Sequence, residues 1–190
     1  MPRAKPGSID RAVSKLIRAA QAGAAEAALE LGDRYREGNG VEESETQALH
    51  WYAVGAKLGD AEAQNNLGTM LLNGIGCEAD AEAAVPWYRA SAEQGNPVAQ
   101  FNLGLRYLHG SGVEPDDRGL GGEKNPALCW AWIRWAHDGC PPMPEDETRT
   151  EELDAQVAEA LSRFQLALDP AVRARGETLF SELQCKHGPA

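Results

Sequence analysis

One spacing dominates this chain. Leu31-Gly32, Leu67-Gly68 and Leu103-Gly104 recur at intervals of 36 residues. Gly38, Gly74 and Gly110 follow in the same register, as do Gly40, Gly76 and Gly112, and Ala27, Ala63 and Ala99. Tyr35, Leu71 and Tyr107 hold one apolar position, and Trp51-Tyr52 matches Trp87-Tyr88. A fixed period of this length means stacked supersecondary units, each unable to bury its apolar face alone. The unit reads as two helices. The first carries apolar residues at four-residue steps, Ala-x-x-x-Leu-Gly-x-x-Tyr, and the paired glycines end it with positive-φ turns. The second starts near Ser44 or Asp80, both good N-caps, with Ser44 and Gln47 fitting a capping box, and ends at Gly59 or Gly95. Asp60 and Asn96 cap the next first helix, and Pro97 suits its first turn. Pro86, inside a second helix, is expected to bend it.

The register defines units over 25–60, 61–96 and 97–139. In the third it breaks after Asp116, and Ala127 and Trp130 resume the pattern seven residues late. The glycine-rich, charged stretch Asp117 to Lys124 therefore reads as a lengthened loop. Upstream, Ala12, Leu16, Ala20 and Gly23 precede Ala48, Tyr52, Ala56 and Gly59 by 36 residues. Residues 9–24 thus read as the second helix of an incomplete unit. Beyond Pro141, Pro142 and Pro144, residues 150–185 leave the register. Leu153, Val157, Leu161, Phe164 and Leu168 share one face of a helix, Asp169-Pro170 stops it, and a last helix carries Val172, Leu179, Phe180 and Leu183. This pair is expected to cap the array as a hairpin, with a dimerisation element as the alternative.

The repeat motif Leu-Gly-x-x-Tyr-x-x-Gly-x-Gly-Val, then Ala-x-x-Trp-Tyr and a closing glycine, resembles the Sel1-like repeat, a relative of the tetratricopeptide repeat. The resemblance covers residues 25–139 and, as a half unit, 9–24. It implies an all-α fold, a right-handed α/α superhelix or solenoid, that scaffolds complexes or binds peptides. Cysteine-rich relatives staple each helix pair, but Cys77, Cys129, Cys140 and Cys185 lack the regular spacing that this needs.

Composition narrows the partner. With 18 basic and 29 acidic residues the formal charge is −11, which argues against nucleic acid and anionic membranes and suits a basic or amphipathic protein or peptide. No apolar run approaches the roughly 20 residues of a membrane span, and Ile9, Val13, Leu16 and Ile17 recur at helical spacing rather than as a leader, so a cytoplasmic location is expected.

Positions constant across the units are scaffold, so recognition falls to the variable ones on the first helices. These are Glu30, Asp33 and Glu37 in the first unit, Asn65, Asn66, Thr69 and Asn73 in the second, and Phe101, Asn102, Leu105 and His109 in the third. They would grade a concave groove from acidic, through amide-rich, to apolar, with Phe101 and Leu105 anchoring an apolar side chain. The plain alternative is a solvated helix face. Trp130, Trp132 and Trp135 crowd one helix, and residues two and five apart cannot all share a face. Packing on the hairpin is the commoner outcome, with Trp132 and Trp135 the candidates for exposed anchors.

Catalysis finds no foothold: there is no Gly-x-Ser-x-Gly, phosphate loop or His-Glu-x-x-His. Cys129, His137, Cys140, Cys185 and His187 are zinc-ligand types without ligand spacing, so neither metal nor cofactor is expected. The expectation is a non-enzymatic scaffold, a monomer or weak homodimer. An immunity protein sequestering a toxic enzyme is the first rival, and a metal-dependent hydrolase a more distant one.

Overall fold

The computed structural model describes residues 11–112, 125–138 and 151–187. All secondary structure in them is helical: α1 (Arg11–Gln21), α2 (Ala25–Glu37), α3 (Glu45–Lys57), α4 (Ala61–Asn73), α5 (Ala81–Glu93), α6 (Pro97–His109), α7 (Pro126–Asp138), α8 (Glu151–Ala167) and α9 (Pro170–His187). The chain forms two compact halves, residues 1–87 and 88–190, whose boundary falls within α5. The expected loop at 117–124 and Cys140 lie outside the described residues.

Local chemistry sets the helix ends. The side chains of Ser44, Asp60 and Asn96 accept from the backbone N–H three residues on, at 3.3, 2.7 and 3.0 Å. Asp80 and Asn125 do the same for α5 and α7. Each such cap satisfies an orphan N–H and stabilises its helix by about 1 kcal/mol. Gly38, Gly74 and Gly110 close α2, α4 and α6 in the left-handed region, where any side chain would be strained. Helix α5 continues through Pro86, which is exposed.

In the N-terminal half, α1, α2, α3 and α4 pack in succession. Val13, Ala28, Leu31 and Trp51 form one core cluster; Tyr52, Leu67 and Met70 form another, onto which Trp87 packs. Each large side chain so buried contributes about 2–3 kcal/mol. Gly32 explains why the Leu-Gly pair recurs. A Cβ there would sit 2.4 Å from the Tyr52 ring, so only glycine lets the ring lie against α2. The repeat also uses a pair of buried glutamines: Gln64 and Gln100, 36 residues apart, donate to the Ala56 and Ala92 carbonyls at 3.1 and 3.2 Å.

In the C-terminal half, α7 packs against α6 and against both α8 and α9. Nine of its residues, from Ala127 to Ala136, are buried, as expected of a helix apolar all round. Trp132 and Trp135 are 3% and 2% exposed and stack at 5.3 Å between ring centres. They are therefore core residues, and the reading of them as exposed binding anchors is corrected. The reason is coverage by three helices, which leaves α7 no solvent face large enough for an indole. Trp130 completes the packing, donating from Nε1 to Glu177 on α9 at 2.9 Å.

Candidate interaction site

The variable positions of the first helices do not form one uniform surface. On α2, Glu30 accepts from Arg34 at 2.6 Å, and Arg36 lies 3.4 Å from both Asp33 and Glu37. The acidic end of the expected groove is thus largely neutralised by arginines of its own helix. Asp33 turns partly inward, where the Tyr52 hydroxyl donates to it at 2.6 Å. Burial raises the Asp33 carboxyl above its ordinary 3.8, while the hydrogen bond from Tyr52 and the Arg36 charge oppose that rise. Burial and the adjoining Asp33 in turn push the Tyr52 hydroxyl upward.

This pair carries a testable pH signature. A carboxyl whose folded pKa exceeds its unfolded one binds its proton more tightly in the fold. Its contribution to stability therefore falls as pH rises above 3.8 through the folded value. Tyr52→Phe removes the bond to the charged form and raises that value further. The variant is expected to lose about 1.5–3 kcal/mol at pH 7, and progressively less as the pH falls toward the ordinary carboxyl range. Urea unfolding at neutral and acid pH checks this, and an equal loss at both would show that the Asp33 carboxylate is not what the hydroxyl stabilises.

On α4, Asn65 is 8% exposed, which corrects its assignment to an open face. Its backbone carbonyl accepts from Thr69 Oγ1 at 3.0 Å, and the Thr69 carbonyl accepts from Asn73 Nδ2 at 2.9 Å. Those donors serve their own helix. Asn66 is half-buried.

On α6, the structure brings two predicted residues together at a cavity. Phe101 and Leu105, with Leu108, form one wall of an apolar cleft of about 420 Å³. The opposite wall is α8, contributing Gln156, Glu159, Ala160, Arg163 and Phe164. Glu159 and Arg163 pair at 2.7 Å and leave that wall close to neutral. Asn102 is half-buried and His109 exposed, and neither lines the cleft. Sequence spacing does not single out Leu108, Ala160 and Phe164 as site residues. Only the helical spacing of Phe101, Leu105 and Leu108 hints at a shared face, and nothing in the repeat register points to α8. A lining of this kind can hold apolar side chains and fix their direction with a few polar groups.

The zinc-ligand types are scattered. Cys129 is fully buried, and burial pushes its thiol up to about 12, while His137 and Cys185 are exposed. The His187 side chain lies outside the described residues. Among the described residues no three potential ligands gather. No helix among them is long and apolar enough to cross a membrane.

Helix pairs in 36-residue register, closed by left-handed glycines, define a helical-repeat protein of the class that generally mediates protein–protein interaction. The chain belongs to the Sel1 repeat family, whose profile matches residues 25–60, 61–96 and 97–118. It is similar to a Sel1 repeat protein from Oxalobacter formigenes, with 25% identity, a TM-score of 0.66, and 94% of this chain matching 65% of that one. It also shares its fold with c5321, a protective antigen of uropathogenic Escherichia coli strains that displays an SLR fold. There the identity is 24%, the TM-score 0.50, and 94% of this chain matches 41% of that one. The chain thus spans less than two-thirds of the length of either. A comparison with curated proteins found no match. The family is typically a scaffold fold rather than an enzyme.

Proposed function

We propose that this chain is a non-enzymatic, cytoplasmic adaptor that binds an amphipathic segment of a partner protein. The observation that supports it most directly is the α6–α8 cleft, because its α6 wall presents the apolar Phe101, Leu105 and Leu108, each only partly buried. Leu105 stands 36 residues after Thr69 and 72 after Asp33, both polar, whereas Phe101 stands 36 residues after Asn65 and 72 after the apolar Leu29. Two apolar side chains of the partner would seat in the cleft, with Asn102 offering a polar contact beside it. Asn66, Glu37 and His109 are the polar contacts proposed elsewhere on the first helices. A basic or neutral partner fits the charge of −11, and nucleic acid does not.

The test is affinity capture followed by titration, comparing the natural chain with a combined Asn66→Ala, Phe101→Ala and Asn102→Ala variant. Loss of a buried aromatic anchor costs about 2 kcal/mol or more, roughly thirtyfold in affinity. A partner released by the variant, with its thermal melt preserved, supports the reading. Equal capture by both proteins would remove these residues from the contact surface.

A further inference from the structure

Among the described residues, α1 is a second helix on which no first helix of its own unit packs. The next unit shows the pairing in full. The Tyr52 ring of α3 lies against Gly32 of α2, and a Cβ at Gly55 would lie 3.5 Å from the Ala25 carbonyl oxygen and from Ala28 Cβ. Trp51 joins Ala27, Ala28 and Leu31 of α2 in one core cluster. Thirty-six residues earlier, Ala48, Trp51, Tyr52 and Gly55 correspond to Ala12, Lys15, Leu16 and Ala19 of α1. Helix α1 spends a different side, with Val13 and Ala20, on α2. The corresponding face is therefore open: Ala12 and Lys15 are exposed and Leu16 and Ala19 partly buried, whereas Ala48 and Tyr52 are 0% exposed.

The end of any repeat array needs a polar outer face, and that alone calls for no ligand. This face differs in two respects. It keeps the small residues that let a helix approach closely, with a leucine among them. Its cations also stand alone. Arg11, Lys15 and Arg18 follow at i, i+4 and i+7 on a helix with no acidic residue. All three are exposed, and none has a carboxylate partner among the described residues. Arg34, Arg36, Arg134 and Arg163, by contrast, each pair with an acid of their own helix.

We propose that α1 docks an acidic amphipathic helix of another protein in the place that a first helix takes. The repeat itself specifies the occupant, because the new contact continues the one between α2 and α3. The docked helix sets small or apolar residues, at four-residue steps, against Ala12, Leu16 and Ala19. Its carboxylates, one turn apart, meet Lys15 and the flanking Arg11 and Arg18. A second copy does not fit. Its α1 carries the same three cations, and its first helices α2, α4 and α6 already pack on second helices. An anionic bilayer does not fit either, because Val13 and Ala20, on the apolar side a helix would insert, are buried. The surface shares no residue with the α6–α8 cleft, so either can fail without the other.

The probe is a fluorescent peptide of residues 25–37, a first helix of this chain, carrying Arg34→Gln and Arg36→Gln. Those changes leave Glu26, Glu30, Asp33 and Glu37 without their arginine partners. So short a helix is marginal when free and should order on binding. Anisotropy titration with the full chain is expected to show saturable binding. Lys15→Glu should weaken it about tenfold by setting like charges together, and Ala12→Gln about as much by blocking close approach. Both positions are exposed, so the thermal melts should stay unchanged. No saturable binding overturns the proposal. So does equal binding by both variants, which would put the peptide elsewhere on the chain. Loss in Lys15→Glu with full binding by Ala12→Gln also overturns it, since that is charge attraction without seating. Binding to phosphatidylserine vesicles but not to the peptide would assign the cations to a membrane instead.

Discussion

Trp135→Ala is expected to destabilise the C-terminal half by about 3–5 kcal/mol, the larger of the two strongest effects foreseen for this chain. The indole is 2% exposed and stacks on Trp132 at 5.3 Å. Helix α7 is held by α6 and by both α8 and α9, so the surroundings cannot collapse into the space without moving a helix. Cores that cannot relax suffer the upper end of the range. For a unit near 100 residues each kcal/mol shifts the midpoint by about 4–8 °C, so the drop should exceed roughly 12 °C. Calorimetry reads it directly. A midpoint within a few degrees of the natural one would show that α7 is not the core of this half.

Gly32→Val and Gly104→Val are expected to cost about 3 kcal/mol each, because both glycines mark closest approach between helices. At Gly32 a Cβ would lie 2.4 Å from two Tyr52 ring carbons. That ring is buried, and its hydroxyl is tied to Asp33, so it cannot swing aside. At Gly104 the Cβ would meet Ile133 Cγ1 at 2.7 Å and the Cys129 carbonyl oxygen at 3.3 Å, and the backbone atom is the harder of the two to move. Gly23→Ala supplies the contrast. Its φ is +95° but nothing lies within 4 Å, so only the backbone strain of roughly 1–2 kcal/mol applies. Chemical denaturation of the three variants should rank Gly23→Ala as the mildest. The reverse order would place the role of the recurrent glycines in turn geometry rather than in helix contact.

The tryptophans and the glycines differ in how far the sequence reveals them. Gly32 and Gly104 recur at one offset, and a recurrent glycine beside a recurrent leucine announces close helix packing before any coordinates exist. The caps at Ser44, Asp60, Asp80 and Asn96 are readable because their chemistry acts within three residues. Trp132 and Trp135 are harder. Helical spacing shows that the three tryptophans of α7 cannot all share a face, but their burial depends on several helices covering α7 at once. Asn65 is misplaced by sequence reasoning because a repeat pattern identifies the apolar stripe without its width. At α4 the buried face is broad enough to take in Gln64 and Asn65. The acidic character of α2 is legible as composition, but the pairing of Glu30, Asp33 and Glu37 with Arg34 and Arg36 depends on side-chain placement.

The candidate site divides along the same line. Leu105 stands out because both earlier units carry polar residues at its position, Asp33 and Thr69, whereas the position of Phe101 is already apolar in the first unit, at Leu29. Comparing repeats in this way needs no structure. Their role as half of a cleft depends on Ala160, Arg163 and Phe164, which lie outside the repeat register. By itself, the sequence determined the helices, their turns and the apolar face of each unit, because those follow from contacts a few residues apart repeated every 36. Only the tertiary structure decided where α8 lies, and with it the cleft and the buried tryptophans. A helix outside the register docks wherever shape and burial favour it most, and that choice is made by surfaces distant in the chain.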